Sequence, residues 1–417
     1  MIENYHKYLL EGNPFPEAAT LDPNSPDRKT NGQIFCEEIV RDELKAITEK
    51  IEGKVNVVYV AGLEFDKGLG KSALVVHQWR GLKERDLITA PYMRCRSRQK
   101  PADFCDTLVK AWSDQHHVWR AFGNIVSKFA SEQSSPSLTK QSVELLLKTY
   151  PNPPVNLPFV RYLHVTRPET LAKSLGDWIH AKDPQLQSKY GRFFVEQNLT
   201  HPAEFFDNYL RMKIPGMDRI DLYKNTMLCL NLGGYQYHYL FLDQFEDAVM
   251  PVSPNGMADF CLGMRRIIEA NQDLAMMIVT LHPDSETKLD LPAAADLVRI
   301  APTDNYHRVD MLALEAEGDD AIALATAYLD SYRLGKPPYR TFPLEEGVIR
   351  YAGFLEGGNI RRTLQRLNVC LRVAASRSAP EVTMDYVAAN HRELMGTEPQ
   401  SELLTKFNAS AKSQNKA

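Results

Sequence analysis

A buried strand that leads through a glycine-bearing loop into a helix constrains the fold of this chain more than any other feature. Residues 55–61 form a β-branched apolar run without polar alternation, which is typical of a strand covered on both faces in a parallel sheet. The loop at 62–72 and a helix that starts at 73–76 follow it. A second strand at 87–93 and a helix at 101–113 continue the alternation. The pattern predicts an α/β fold with a parallel sheet between helical layers.

The loop at 62–72 ends in Gly-Lys-Ser, and its residue types suit a bound phosphate. Small glycines let consecutive backbone amides point at phosphate oxygens, and the helix N-terminus adds positive potential. Lys71 would reach the outer phosphates, while the Ser72 hydroxyl would bind Mg²⁺. The predicted phosphate-binding residues are Gly68, Leu69, Gly70, Lys71, Ser72 and Ala73.

The loop departs from the usual P-loop pattern, Gly-x-x-x-x-Gly-Lys-Ser. That pattern requires glycine at position 65, where this chain has Phe65, and the nearest upstream glycine is Gly62. The loop is therefore longer than the standard one. Because a bare Gly-Lys-Ser also occurs in ordinary surface turns, the phosphate site needs support from a second segment.

A second segment supplies that support. An apolar strand at 237–242 ends in Asp243, and Gln244, Phe245, Glu246 and Asp247 follow. A carboxylate at the end of a strand beside the loop strand binds Mg²⁺ through water, and a nearby acid can orient the attacking water. The two segments predict a site for ATP and Mg²⁺ in which Ser72 and Asp243 hold the metal.

These residues carry a resemblance to known families. Residues 243–247 resemble the Asp-Gln-Phe-Glu-Glu motif, a Walker B motif, of the STAND class of P-loop ATPases, a sister group of the AAA+ ATPases. The C-terminal half resembles the replication-initiator branch of AAA+ proteins. In that branch a helix of the lid begins with Gly-Asp-Ala-Arg, and this chain has Gly-Asn-Ile-Arg at 358–361. Asn-Pro-Phe at 13–15 resembles the entry segment of transposition and secretion AAA+ ATPases. The resemblance covers about residues 10–115 and 225–395.

The resemblance implies a P-loop NTPase core with a C-terminal helical lid, and it implies roles for single residues. Thr280, or the neighbouring His282, would be the polar sensor 1 residue that ends the strand after Asp243, and Arg361 would be sensor 2. The AAA+ pattern places glutamate directly after Asp243, but Gln244 cannot accept a proton. The STAND pattern assigns the general base to Glu246 instead; if Glu246 points elsewhere, the protein binds ATP and hydrolyses it slowly or not at all.

The resemblance also raises the question of ring assembly. Arg265 and Arg266 lie on the helix between Asp243 and the sensor strand, and Arg299 follows that strand. In AAA+ rings such positions can supply an arginine finger to the nucleotide of a neighbouring copy, which would make the protein a homo-oligomer. A solvated helix face is the alternative interpretation of each arginine, and the one we favour.

The order of these features divides the chain into six predicted segments. The helical insertion would provide a surface for a protein partner. The segments are an N-terminal arm with a docked helix at 1–50, the first part of the core at 51–115, a helical insertion at 116–220, the second part of the core at 221–302, a helical lid at 303–397 and a flexible tail at 398–417.

Composition excludes several classes of protein. The formal net charge of −4 excludes a chain that coats nucleic acid through overall charge, so any DNA contact must be local. In an extended backbone Arg94, Arg96, Arg98 and Lys100 would lie on one side and suit a phosphate backbone, although a solvated loop is the interpretation we favour. The six cysteines lack zinc-site spacing, and no window is apolar enough to span a membrane. We therefore expect a cytoplasmic protein without a membrane partner.

Two hypotheses of function follow. The first is an ATPase that couples its nucleotide state to assembly, or to a conformational switch acting on a DNA or protein partner. The absence of an Asn-Lys-x-Asp motif favours ATP over GTP. The alternative is a nucleotide-dependent interaction module that does not hydrolyse ATP, which Gln244 and the long loop motivate.

Overall fold

Six strands form one parallel sheet in the computed structural model. The strands are β1 (Val57–Gly62), β2 (Ile88–Thr89), β3 (Tyr92–Arg94), β4 (Tyr237–Asp243), β5 (Ala275–Thr280) and β6 (Tyr306–Met311). Their order in the sheet is β2–β4–β5–β1–β6, and β3 also pairs with β4. The structure describes residues 4–17, 21–53, 55–62, 67–133, 140–154, 168–271, 273–285, 306–315, 319–399, 401–402 and 404–407.

Helices follow or separate the strands. The helices are α1 (Arg41–Glu52), α2 (Lys71–Lys83), α3 (Pro101–Asp114), α4 (His117–Glu132), α5 (Lys140–Thr149), α6 (Pro168–Lys182), α7 (Ser188–Thr200), α8 (Phe205–Arg211), α9 (Arg219–Leu232), α10 (Phe245–Val249), α11 (Pro254–Ala270), α12 (Asp320–Asp330), α13 (Glu346–Leu355), α14 (Ile360–Ser376), α15 (Met384–Ala389) and α16 (His391–Met395). Short 3₁₀ helices lie at His6–Tyr8, Glu37–Val40 and Pro202–Glu204.

The strands of the sheet are parallel and its centre is covered on both faces. Every residue of β1 and β5 is buried, which explains why β1 appears in the sequence as an unbroken apolar run. Strands β2 and β3 pair with the beginning and the end of β4, so they form one interrupted edge strand. The prediction of an α/β fold with a parallel sheet is confirmed.

Successive residues of the central strands pack on opposite sides of the sheet. Val58 and Val60 pack with α1 and α2, whereas Val57 and Tyr59 pack with the larger helical layer. That layer includes helices of the predicted insertion at 116–220, whose buried side chains belong to the same hydrophobic core as the sheet. The insertion therefore covers one face of the sheet rather than forming a core of its own.

Strand β6 corrects the sequence analysis, which expected helices from residue 303 onward. Residues Tyr306–Met311 pair in parallel with β1, from Val57 opposite Tyr306 to Gly62 opposite Met311. The segment has a charged face because it is an edge strand: Val309 and Met311 are buried, while Arg308 Nε donates to Asp310 Oδ1 at 2.6 Å. The sheet therefore extends to Met311, and the C-terminal helices begin after it.

The N-terminal arm packs against the C-terminal helices. Tyr8 and Phe15 are fully buried there; the Tyr8 hydroxyl donates to the Ala379 carbonyl at 2.7 Å, and Asn368 Nδ2 donates to the Phe15 carbonyl at 2.7 Å. Turn residues explain why the arm has little regular structure, but they do not predict this docking. The arm and the C-terminal helices share one hydrophobic core.

The prediction of a flexible tail at 398–417 is wrong at Phe407. This side chain is buried against Tyr351 and Phe354, with ring centroids 5.6 Å apart in both pairs. The polar and small residues of this segment predicted a flexible tail. Burying a large aromatic ring is strongly favourable, so Phe407 packs against the helices despite that composition. Residues 408–417 lie outside the described part of the chain.

Candidate functional site

A cleft of about 290 Å³ opens where the carboxyl ends of β4 and β5 meet the N-terminus of α2. Ligands of open parallel sheets bind at this edge, beyond the carboxyl ends of the strands. The cleft is lined by Pro16, Leu21, Lys29, Lys67, Gly68, Leu69, Gly70, Lys71, Ser72, Ala73, Arg94, Gln244, Glu246, Asp247, Thr280, Tyr328, Ile360, Arg361 and Leu364. The six predicted phosphate-binding residues are all among them.

The loop before α2 has the backbone shape of an anion cradle. Gly68 has φ +102° and Gly70 has φ +92°, which are left-handed conformations that favour glycine. Helix α2 begins directly after Gly70, which has no side chain with which to cap the first amides of the helix. The dipole of α2 favours a negatively charged ligand at this end of the helix.

The charge of the lining also suits an anion. Five cationic side chains contribute to it, namely Lys29, Lys67, Lys71, Arg94 and Arg361, against the acids Glu246 and Asp247. The chain as a whole has a formal charge of −4, so this cleft has the opposite sign to the molecule. The lining therefore attracts a polyanion with several phosphate groups.

Asp243 is buried behind residues of the cleft lining and accepts hydrogen bonds from several donors. Its Oδ1 accepts hydrogen bonds from Ser72 Oγ at 2.9 Å, from Thr280 Oγ1 at 2.8 Å and from the backbone amide of Gln244 at 3.0 Å. Its Oδ2 accepts one from the Tyr92 hydroxyl at 2.6 Å. The structure thus brings together Ser72, Asp243 and Thr280, which are up to 208 residues apart in sequence.

Tyr92 is a member of this cluster that the sequence analysis missed. It lies on β3, beside β4, with its Cα opposite Phe241. Burial, followed by the charge of Asp243, raises the pKa of Tyr92, so the hydroxyl stays a donor to the carboxylate. The sequence contained a strand at this position, but which strand it pairs with depends on the long connection between Arg94 and Tyr237.

Glu246 lies on α10, one turn beyond Asp243, and lines the cleft. Its Oε2 is buried without a hydrogen-bond partner among the described residues. Burial raises the pKa of Glu246, and the charge of Lys71 opposes the rise. A carboxylate with a raised pKa and an open oxygen is a suitable proton acceptor for a water molecule in the cleft.

Ser72 and Asp243 could hold a divalent cation. The Ser72 hydroxyl donates a hydrogen bond to Asp243, which leaves the lone pairs of Ser72 Oγ for a metal. Hard oxygen ligands are those that Mg²⁺ prefers. Within the described ranges no cluster of three or more His, Cys, Asp or Glu side chains forms a metal site. The arrangement fits Mg²⁺, which commonly takes its other ligands from water and phosphate oxygens.

The beginning of α14 touches the glycine loop. The Arg361 amide donates to the Gly68 carbonyl at 3.0 Å, and Asn359 Nδ2 donates to the Lys67 carbonyl at 2.7 Å. The approach is so close that a Cβ on Gly68 would lie 2.3 Å from Asn359 Oδ1. Burial lowers the pKa of Arg361, whose side chain lines the cleft. The predicted sensor residue therefore sits beside the predicted phosphate loop.

The apolar part of the lining comes from the arm and from the C-terminal helices. It consists of Pro16, Leu21, Tyr328, Ile360 and Leu364. Tyr328 also stacks on Phe15, with ring centroids 6.1 Å apart. The cleft therefore combines a cationic part with an apolar part, which suits a ligand that has both a polyphosphate and a planar base.

The basic segment after β3 does not form the extended row that the DNA hypothesis required. The Gln99 amide donates to the Arg96 carbonyl at 3.3 Å, and Arg98 has a left-handed φ of +62°, so the chain turns. Lys100 precedes α3, and its amide donates to Asp103 at 2.8 Å. Of the four basic residues, Arg94 lines the cleft.

Of the candidate finger residues, Arg265 and Arg266 lie away from the cleft lining. Arg265 pairs with Glu269 one turn further along α11, and Arg266 pairs with Asp218 and Asp221. Exposed pairs of this kind contribute little stability and can be exchanged for a partner's charges. Arg299 lies outside the described residues, so its placement is untested. Near Thr280, the alternative sensor His282 bonds through its backbone amide to Ser285 Oγ at 3.2 Å and does not line the cleft.

No family model matches the sequence, and no curated protein matches it. Within the described ranges, none of the helices has both the length and the apolar character needed to cross a membrane.

Proposed function

We propose that this protein is a Mg²⁺-dependent ATPase of the P-loop class, built on the AAA+ and STAND pattern that its sequence resembles. The observation that carries the proposal is the 2.9 Å hydrogen bond between Ser72 Oγ, at the start of α2, and Asp243 Oδ1, at the end of β4. These two groups lie 171 positions apart in sequence, and Ser72 lines a cationic cleft. A hydroxyl and a carboxylate in this arrangement suit the metal of a nucleoside triphosphate.

The lining supports a role for each part of the nucleotide. The loop amides and Lys71 bind the phosphates, and Arg361 adds a second positive charge from α14. The apolar group around Tyr328 and Leu364 receives the base. Mg²⁺, held by Ser72 and Asp243, would neutralise charge on the phosphate oxygens.

Glu246 is the proposed general base. A water molecule gives a proton to Glu246 while its oxygen forms a bond to the γ-phosphorus. The bond from that phosphorus to the bridging oxygen breaks, and its electrons leave with ADP. Lys71 and Arg361 stabilise the negative charge that builds up on the transferred group.

The contact between the loop and α14 supports a coupling of nucleotide state to the C-terminal helices. Arg361 binds Gly68 through its backbone and faces the cleft with its side chain. A change in the number of bound phosphates would therefore affect both the glycine loop and the beginning of α14. We propose that the movement is transmitted to a partner, either another copy of the chain, DNA or a protein.

A nucleotide-binding module without turnover is the second candidate. The observation that favours it is the position of Gln244. This residue directly follows Asp243, where a glutamate would act as the general base, and a glutamine side chain cannot accept a proton. If Glu246 does not reach the water, the cleft binds ATP and holds it.

The test measures binding of ATP and release of phosphate with Mg²⁺. We expect turnover by the natural protein, loss of binding in Lys71→Ala, and binding without turnover in Glu246→Gln, with a rate lowered about 10²-fold to 10⁴-fold. Lys83→Ala and Glu84→Gln, both at the far end of α2, are the matched controls. Absence of nucleotide binding would refute the proposal, whereas binding without any turnover would select the second candidate.

A further inference from the structure

Arg94 occupies a position in the cleft that the proposed mechanism does not use. It is the last residue of β3 and pairs in register with Asp243 at the end of β4. The next amide, that of Cys95, donates to the Asp243 carbonyl at 2.8 Å, so the backbone is fixed on both sides of the Arg94 side chain. The side chain is exposed and lines the cleft.

Gln244 holds the guanidinium of Arg94. The Nε–H group of Arg94 donates to Gln244 Oε1. Gln244 is itself immobilised, because its backbone is left-handed at φ +56° and its amide donates to Thr280 Oγ1 at 2.7 Å. The Gln244 side chain, which cannot serve as a base, therefore orients a cation instead.

The terminal nitrogens of Arg94 remain available. Among the residues that the structure describes, no protein acceptor binds them, and no carboxylate lies within ion-pair distance. Arginine binds phosphate with two parallel N–H groups, and a guanidinium that is already held by its Nε loses less freedom when it does so. The guanidinium of Arg94 is therefore already oriented for a contact with phosphate.

The place of Arg94 relative to the metal ligands identifies which phosphate it would meet. In the proposed site a Mg²⁺ ion would neutralise charge on the outer phosphates. Ser72 and Asp243 would hold that ion, and Arg94 lies opposite Asp243 in the sheet. The phosphate that Arg94 would meet is therefore the terminal one, which ADP lacks.

We propose that Arg94, held by Gln244, binds the γ-phosphate from within the same chain and makes the cleft distinguish ATP from ADP. This inference rests on the proposed nucleotide site. It also gives Arg94 a different role from the DNA contact suggested by the sequence, since Arg96 and Arg98 do not line the cleft. Arg94 is a binding residue in this proposal, and Gln244 is a positioning residue.

The experiment compares the affinities of a non-hydrolysable ATP analogue and of ADP, each with Mg²⁺, by titration calorimetry. We expect Arg94→Ala to weaken binding of the analogue about 10-fold to 100-fold and to leave ADP binding within about 2-fold. Arg94→Lys keeps the positive charge but lacks the two parallel N–H groups, so its affinity for the analogue should lie between those of the natural protein and of Arg94→Ala. Arg98→Ala, four positions away on the same exposed segment, retains both affinities.

Gln244→Ala tests the positioning role. It should weaken binding of the analogue in the same direction as Arg94→Ala and by a smaller factor, and the double variant should lose no more than Arg94→Ala alone. Because Arg94 is exposed, its variants remove no core packing, and thermal unfolding provides the check that they are folded.

Each other outcome overturns the inference. Equal losses for ADP and the analogue would mean that Arg94 contributes only general positive potential, and unchanged affinities would mean that it does not touch the ligand. If the natural protein binds both nucleotides, either result leaves the proposed function standing. If the natural protein binds neither, the proposed nucleotide site itself is wrong, and the inference falls with it.

Discussion

At the scale of single residues, the buried carboxylate of Asp243 determines the chemistry of the cleft. Burying a charge is costly unless hydrogen bonds replace the lost water. Asp243 obtains them from two hydroxyls and an amide on Oδ1 and from the Tyr92 hydroxyl on Oδ2. Among the described residues, Tyr92 is therefore the one side chain that donates to Oδ2. The free energy of unfolding should be sensitive to this single hydroxyl.

Replacing Tyr92 with phenylalanine tests that dependence. We expect Tyr92→Phe to lower the free energy of unfolding by about 1–3 kcal/mol, because a buried carboxylate oxygen loses its donor. Urea denaturation without nucleotide provides the measurement. Tyr237→Phe is the control, since the Tyr237 hydroxyl is buried without a hydrogen-bond partner among the described residues, and its removal should be nearly neutral. Equal losses in the two variants would contradict the argument.

At the scale of elements, a buried histidine joins the edge of the sheet to the helical layer. His238 on β4 bonds through Nδ1 to Thr89 Oγ1 on β2 at 2.7 Å, and through Nε2 to Asn231 on α9 at 3.1 Å. Trp112 Nε1 on α3 donates to the same Thr89 hydroxyl at 3.0 Å. Burial lowers the pKa of His238 to about 3, and burial lowers that of His117, on α4, to about 4.

These lowered pKa values make the stability of the fold depend on pH. Unfolded histidine has its ordinary pKa of 6.5, so between about pH 6.5 and pH 4 the unfolded chain binds protons that the folded chain does not. The contribution of the two histidines to the free energy of unfolding is fully present above this window. It falls as the pH is lowered through the window, by at most about 1.4 kcal/mol per pH unit for each histidine. Urea denaturation from pH 7.5 to pH 4.5 measures the slope. His117→Gln should reduce it, and an unchanged slope would refute the assignment.

The individual elements differ in how well the sequence could predict them. Strands β1 and β4 were predictable because central parallel strands are apolar throughout, and the loop before α2 was predictable from its glycines and Lys71. Strand β6 was not, because an edge strand leaves residues such as Arg308 only half-buried and its pattern is no longer that of a buried strand. Tyr92 was missed for a different reason: its partner lies on β4, 142 residues separate β3 from β4, and strand pairing at such a distance leaves no local signal.

At the scale of the whole molecule, the cleft lies where separate parts of the chain meet. The core of the sheet supplies the loop, the arm supplies Pro16 and Leu21, and the C-terminal helices supply Tyr328 and Arg361. The arm and these helices share a hydrophobic core that is distinct from the two cores on the faces of the sheet. Arg80 on α2 also donates to the Asn31 carbonyl at 2.6 Å, which ties the arm to the sheet side. A ligand in the cleft would contact all three parts at once.

Phe15 is the residue through which this arrangement can be tested. It is fully buried, stacks on Tyr328 and precedes Pro16 in the lining. We expect Phe15→Ala to lower the free energy of unfolding by about 3–5 kcal/mol and to weaken ATP binding, because the apolar part of the cleft loses its support. Phe129→Ala on α4 creates a comparable cavity in the helical layer and should leave ATP binding of the folded fraction unchanged. Titration calorimetry below the unfolding temperature compares the two variants; equal ATP affinities would show that the arm contributes stability alone and that the base is not bound between the arm and the C-terminal helices.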